Sequence, residues 1–161
     1  MAGMSVLLIM GILSFLFIVF LTIFLVVAIY TIITYVFESI AVMEMLKRKR
    51  YFAWIPFYNK YLLGNCAGYK KGGMLSSMIH FCASFLGIYC YVLNELKWVT
   101  FLTFLILLFL GFIFDMIIAH KIYTKASKYA DLFTVFSVLT LGFLRPIFLF
   151  LFRKKIKDEV F

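Results

Sequence analysis

SVLLIMGILSFLFIVFLTIFLVVAIYTIITYVF, residues 5–37, runs for 33 positions without a charged side chain. An α-helix rises about 1.5 Å per residue, so this run would reach roughly 50 Å, against a bilayer hydrocarbon core of about 30 Å. It reads as a membrane span that tilts, or that leaves the hydrocarbon and packs on protein. The helical pattern continues through ESIAVMEMLKRKR, so one long helix is expected to end near Arg50. No positively charged region precedes the run, and it is far longer than the apolar part of a signal peptide, so it is expected to stay in the protein. Composition agrees: of 161 residues 66% are hydrophobic, 21 are Phe, and the mean hydropathy is +1.10. A soluble core of this size cannot bury such an excess, which points to a single integral membrane domain over residues 1–161.

Working outward, further apolar blocks lie at 74–93, 98–120 and 132–152. The second block carries Ser76, Ser77, His80 and Ser84 and is the most polar. The short link NELK at 94–97 predicts an antiparallel hairpin of the two helices beside it. Inside the last block, Gly142-Phe143-Leu144-Arg145-Pro146 predicts a break, because proline removes a backbone donor and crowds the preceding turn. The fold class expected is therefore all-α, with about four transmembrane helices. In that reading the fourth is broken near Gly142–Pro146; the alternative is a re-entrant hairpin. Seven Lys/Arg lie within 47–71, three within 121–131 and one in the 94–97 link. Positive-inside logic puts the first two segments in the cytoplasm and the N-terminus outside a bacterial-type cytoplasmic membrane. A full fourth span would send the tail RKKIKDEVF, with its four positive residues, to the opposite side; a re-entrant hairpin would keep it cytoplasmic.

YFAWIPFYNKYLLGNCAG, residues 51–68, is too aromatic for an ordinary loop and too polar for a span. It predicts an interfacial amphipathic helix over about 54–68, with Pro56 in its first turn. Trp54, Tyr58 and Tyr61 suit the headgroup level, and the flanking Lys and Arg suit anionic lipid. The net charge of +9 is gathered at the ends of apolar segments, which fits a lipid surface and excludes a nucleic-acid module. Lipid contact alone does not call for Asn59 beside Tyr58.

The stretch, with Trp54, Pro56, Tyr58, Asn59, Tyr61 and Gly68, resembles the hallmark of a family of small bacterial polytopic membrane proteins of unknown function. AHKIYTKASKYADLFTVFSVLTLGFLRPIFLFLF, residues 119–152, is similar to the ending of the same family. The resemblance covers the chain from about residue 44 onward. KRKRYF stands where that family has a glycine-bearing turn, and Arg145 precedes Pro146 where it has an apolar residue. It implies architecture and no particular activity.

Four ionisable residues fall inside apolar blocks: Glu38, His80, Asp115 and Arg145. Such burial costs at least about 2.5–3.5 kcal/mol, which makes them the candidate site. Glu38 shares a helix face with Thr31 and Thr34 and is expected at headgroup level. Asp115 shares a face with Gly111 and Ala119, small residues that admit a second helix, and is expected to pair with Arg145, Glu38 competing. His80 can reach Ser76 or Ser84 one turn away, and no acidic group is placed beside them by sequence. His120 reads as a membrane-surface residue.

No phosphate loop, paired-carboxylate motif or metal-spaced cluster occurs, and Cys66, Cys82 and Cys90 lack the spacing of a zinc site or disulfide framework. The expectation is a chain without catalytic residues, metal or cofactor. Its function is then that of an accessory, scaffold or immunity-like component contacting another membrane protein, or forming a homo-oligomer. The alternative is a small transporter or channel using Asp115, Arg145 and Glu38. A third reading, a membrane Cys/His peptidase, rests on His80 and Cys82, but residues two apart on a helix point about 200° away from each other.

Overall fold

The computed structural model describes residues 2–46, 50–93 and 98–157. Helices α1 (Ala2–Met45), α2 (Tyr58–Cys66), α3 (Lys70–Leu93), α4 (Trp98–Ala126), α5 (Ala130–Leu139) and α6 (Arg145–Lys157) account for most of it, with a short 3₁₀ helix at Arg50–Trp54. Among the described residues there is no strand. Three segments are long and apolar enough to cross a membrane: Ile9–Met45, Lys70–Tyr89 and Trp98–Ala126. The chain divides into two compact units, Met1–Tyr35 and Val36–Phe161. In the first, every described side chain from Ile9 to Val26 is exposed. The second holds a buried core that includes Val42, Met45, Leu63, Cys66, Ile118, Ile122, Tyr123, Leu149 and Ile156.

α1 ends at Met45, five residues before the end expected from its pattern. The reason is tertiary. Ala53, Leu62 and Leu63 are buried in the same core as Ala41, Val42 and Met45, so the chain has to turn back after Leu46. The basic positions 47–49 and the link 94–97 lie outside the described residues.

The single interfacial helix expected over 54–68 is two pieces. A turn at Ile55–Phe57 separates the 3₁₀ helix from α2, so Pro56 stands ahead of α2 and not in its first turn. Phe57 has a positive φ (66°, ψ −44°) in a tight turn in which the Tyr58 N–H donates to the Pro56 carbonyl at 2.7 Å, and its ring meets Phe81 of α3 edge-on at 5.5 Å. α2 is not confined to an outer surface: Asn59, Leu62, Leu63, Gly64 and Cys66 are all buried. It crosses α3 where Gly64 meets Gly73. A Cβ on Gly64 would lie 2.3 Å from the Gly73 Cα, so neither position accepts a side chain.

α3 and α4 are antiparallel. Ser76 faces Asp115, His80 faces Gly111 and Gly87 faces Phe104, in opposite order along the two helices. The small residue at Gly111 admits the imidazole, since a Cβ there would come within 2.9 Å of His80 Cε1.

The block 132–152 does not form one broken rod. α5 leaves the level of Tyr123 and climbs α4 until Gly142 lies against Phe112 and Met116; α6 then descends to place Phe148 and Phe152 back at Tyr123. Phe133 of α5 closes the hairpin, with ring centroids 5.1 Å from Phe148 and 4.9 Å from Phe152. The reversal needs two left-handed residues, Leu141 (φ 50°) and Gly142 (φ 87°). At ten residues, α5 spans only about 15 Å, half a hydrocarbon core.

Candidate functional site

The hairpin tip delivers Arg145 to a buried cluster of charges. Its Nη1 donates to Asp115 Oδ2 and its Nη2 to Glu38 Oε1. Lys60 Nζ approaches the same two carboxylates, 2.8 Å from Glu38 Oε2 and 2.9 Å from Asp115 Oδ2. Ser76 Oγ donates to Asp115 Oδ1 at 2.7 Å. Two carboxylates, one guanidinium and one ammonium make a formally neutral set drawn from α1, α2, α4 and α6. Glu38 and Asp115 are each 3% exposed and Arg145 is 9% exposed, so the pairs act where the dielectric is low.

Arg145 meets both carboxylates at once. Glu38 does not compete with Asp115 for it, and is buried in the cluster. Lys60 was not among the sequence candidates. It lies among seven basic residues of a segment that reads as headgroup-facing, and only the fold-back of α2 turns it inward. A signal was available in Asn59 beside it. Asn59 is 2% exposed, and its Nδ2 donates to Ser39 Oγ at 3.2 Å, which docks the start of α2 on α1 one residue from Glu38.

His80 borders the cluster. Its Nδ1 donates to the Ser76 carbonyl at 2.9 Å, and its Nε2 is 3.7 Å from Asp115 Oδ2. The tertiary fold therefore supplies the acidic neighbour that the α3 sequence lacks. The arrangement is not that of a nucleophile and base: Ser76 is fully buried, and its hydroxyl proton goes to Asp115. Cys82, on another face of α3, is exposed. On its other side His80 lines a groove of about 440 Å³ with Ala83, Ser84, Gly87, Ile88, Phe104 and Leu108. Among the described residues no group of three His, Cys, Asp or Glu could hold a metal ion.

The remaining candidates lie elsewhere. Trp54 is half exposed and donates its Nε1–H to Met43 Sδ at 3.2 Å. The Tyr58 and Tyr61 rings lie tilted at 42° with centroids 5.4 Å apart, and Phe52 is edge-on to Tyr58 at 5.9 Å. His120 is 2.8 Å from Thr134 Oγ1 and ties α4 to α5. Burial pushes the Cys66 thiol up to about 12; the side chain of Cys90 lies outside those described.

A second polar tie fixes the hairpin. Tyr123 is fully buried, and its hydroxyl is 3.2 Å from Ser137 Oγ on α5 and 3.4 Å from the Arg145 carbonyl at the start of α6. Fold and cluster together define an all-α protein with three helices long and apolar enough to cross a membrane, clasped at a neutral knot of buried charges. Compared with protein-family models, with curated proteins and with solved structures, the chain finds no match.

Proposed function

We propose that the protein is a multi-pass component of a bacterial-type cytoplasmic membrane that acts without chemistry of its own, through contacts with another membrane protein. The observation that carries this reading is the apolar helix Ile9–Met45, 37 residues long, whose described side chains through Val26 are exposed all round. At about 1.5 Å per residue it measures roughly 55 Å, well beyond the 30 Å or so that hydrocarbon can cover. Its last turns, with Glu38, Ala41, Val42 and Met45, are buried in this chain's own core; lipid accounts for some 20 of the residues before them, and the surface of another protein for the rest.

The topology that goes with this reading has three spans and a re-entrant hairpin. α5 is too short to cross, and the doubling back of α5 and α6 returns the chain to the side of residues 121–131. A re-entrant backbone at depth needs protein partners, and Tyr123, Asp115 and Glu38 are such partners. The N-terminus is then outside, and the segments 47–71 and 121–131 are cytoplasmic. Membership in the family of small bacterial polytopic membrane proteins, suggested by Trp54, Pro56, Tyr58, Asn59 and Tyr61, belongs to the same proposal.

The test begins with an alkaline carbonate wash, after which the protein should stay in the membrane fraction. A photo-reactive residue at Phe17, Phe20 or Phe24 should then crosslink to one protein of defined mass. Crosslinks to lipid alone at all three positions would sink the partner reading.

One observation favours a second reading, transport. His80 stands between the α3–α4 groove and the buried Asp115, as a proton-handling group in a pathway would. Reconstituted vesicles carrying a pH-sensitive dye decide it: a proton or ion flux abolished by His80→Ala supports transport, and vesicles as tight as protein-free controls dismiss it.

A further inference from the structure

We infer that the cleft between α4 and α5 is a specific site for one anionic phospholipid, with its phosphate at Lys121. The cleft has a volume of about 560 Å³ and is lined by Met116, Ile117, His120, Lys121, Thr124 and Thr134. Its chemistry changes along its length. Met116 and Ile117 are apolar; one turn further along α4, His120, Lys121 and Thr124 present an imidazole, an ammonium and a hydroxyl. This order follows the direction in which α4 approaches the basic segment 121–131, which is cytoplasmic in the proposed topology. A phospholipid is graded in the same sense, with acyl chain at depth and phosphate at the surface.

The polar end is built. Thr134 Oγ1 gives its one proton to the Ala130 carbonyl at 2.9 Å, so it accepts from His120 Nδ1–H at 2.8 Å, and the imidazole is fixed across the helix pair. Thr124 Oγ1 donates to the Lys121 carbonyl at 2.9 Å. Lys121 Nζ lies 5.1 Å from the centroid of the Tyr69 ring in the α2–α3 turn, a contact that an exposed ammonium gives up at little cost for a phosphate. Lys121 is exposed, and among the described residues its ammonium meets no carboxylate. Lys125, one turn on, is spent on the Cys66 carbonyl at 3.0 Å. Asp131, on the same α5 face as Thr134, favours a phosphate on the lysine side of the cleft.

The site rests on the membrane reading, and the carbonate wash separates the two: a protein that washes off fails that reading, while one that stays and shows no lipid preference fails only this site. The full chain, purified and delipidated in mild detergent, is titrated with dioleoyl phosphatidylglycerol and dioleoyl phosphatidylcholine while bound lipid is counted by native mass spectrometry. The expected result is a first lipid that is phosphatidylglycerol. Lys121→Gln should weaken it about fivefold, the effect of one basic residue near an anionic headgroup. Lys154→Gln, at an exposed position on α6 outside the cleft, should leave it unchanged. An unaltered melting temperature identifies both variants as folded; should Lys121→Gln not fold, Lys121→Met takes its place with the same expectation. Equal retention of the two lipids, or an unaffected preference in the cleft variant, overturns the proposal. So does displacement of the lipid by millimolar inorganic phosphate, which would make the site one for a free anion.

Discussion

Arg145 touches two carboxylates from helices far apart in sequence, and this sets what its removal does. Breaking a buried pair by deleting one partner costs about 3–5 kcal/mol, because a charge is left without compensation. Arg145→Met leaves Glu38 and Asp115 to share Lys60, and Glu38→Met leaves an excess positive charge. The double variant Glu38→Met, Arg145→Met keeps the neutral Asp115–Lys60 pair. It should lose less stability than either single change, with a coupling energy of about 0.5–3 kcal/mol in thermal unfolding in detergent. Strict additivity would mean that the cluster is not one electrostatic unit. Exchanging the charges of Asp115 and Arg145 should not restore stability either, since Glu38 would then face a like charge. Cys66 makes a second prediction at this scale. Its thiol, buried against the core, rises from 9.0 to about 12. The folded state holds this proton more tightly than the unfolded chain, so the associated stability is complete below pH 9 and is lost as the pH climbs toward 12. Maleimide at pH 8 should leave the buried Cys66 unlabelled in the folded protein and reach it only after denaturation, as peptide mapping would show.

Two contacts between elements depend on single residues. α2 and α3 cross so closely at Gly64 and Gly73 that a methyl group would meet backbone atoms, which cannot swing aside. Gly64→Ala should cost about 1–3 kcal/mol, the usual result of overpacking. Gly11→Ala on α1 serves as its control, because nothing lies within 4 Å of a Cβ there. Were both substitutions equally mild, the α2–α3 crossing would be looser than described. The tip of the α5–α6 hairpin is the other case. Leu141 holds a left-handed backbone while its side chain is 77% exposed, so its packing contributes little. Leu141→Gly relieves about 1–2 kcal/mol of steric cost against an entropic loss of about 0.5–1. The melting temperature should hold or rise. Gly142→Ala, at φ 87°, should lower it.

For the whole molecule, the topology proposed above states where the tail emerges. A reporter fused after Phe161 should read as cytoplasmic, on the same side as one inserted after Lys128; opposite readings would restore a fourth crossing. The helical class, the three long apolar segments and the punctuation at Gly142–Pro146 are all local properties of the sequence. Each follows from residues within one or two turns: uncharged length, helical periodicity, a proline and a glycine. They determine that this chain forms helices suited to a membrane and where the last one must yield. The sense of that yielding, the inward turn of Lys60, and the joining of Glu38, Asp115 and Arg145 were not local. Charge next to an aromatic stretch reads the same whether it faces lipid or a carboxylate. Only the close crossing at Gly64–Gly73, the docking of Asn59 on Ser39 and the tie from Tyr123 to Ser137 and Arg145 decide it, because they bring together charges separated by up to 107 positions. Burial makes their neutralisation obligatory, and the tertiary fold chooses the partners.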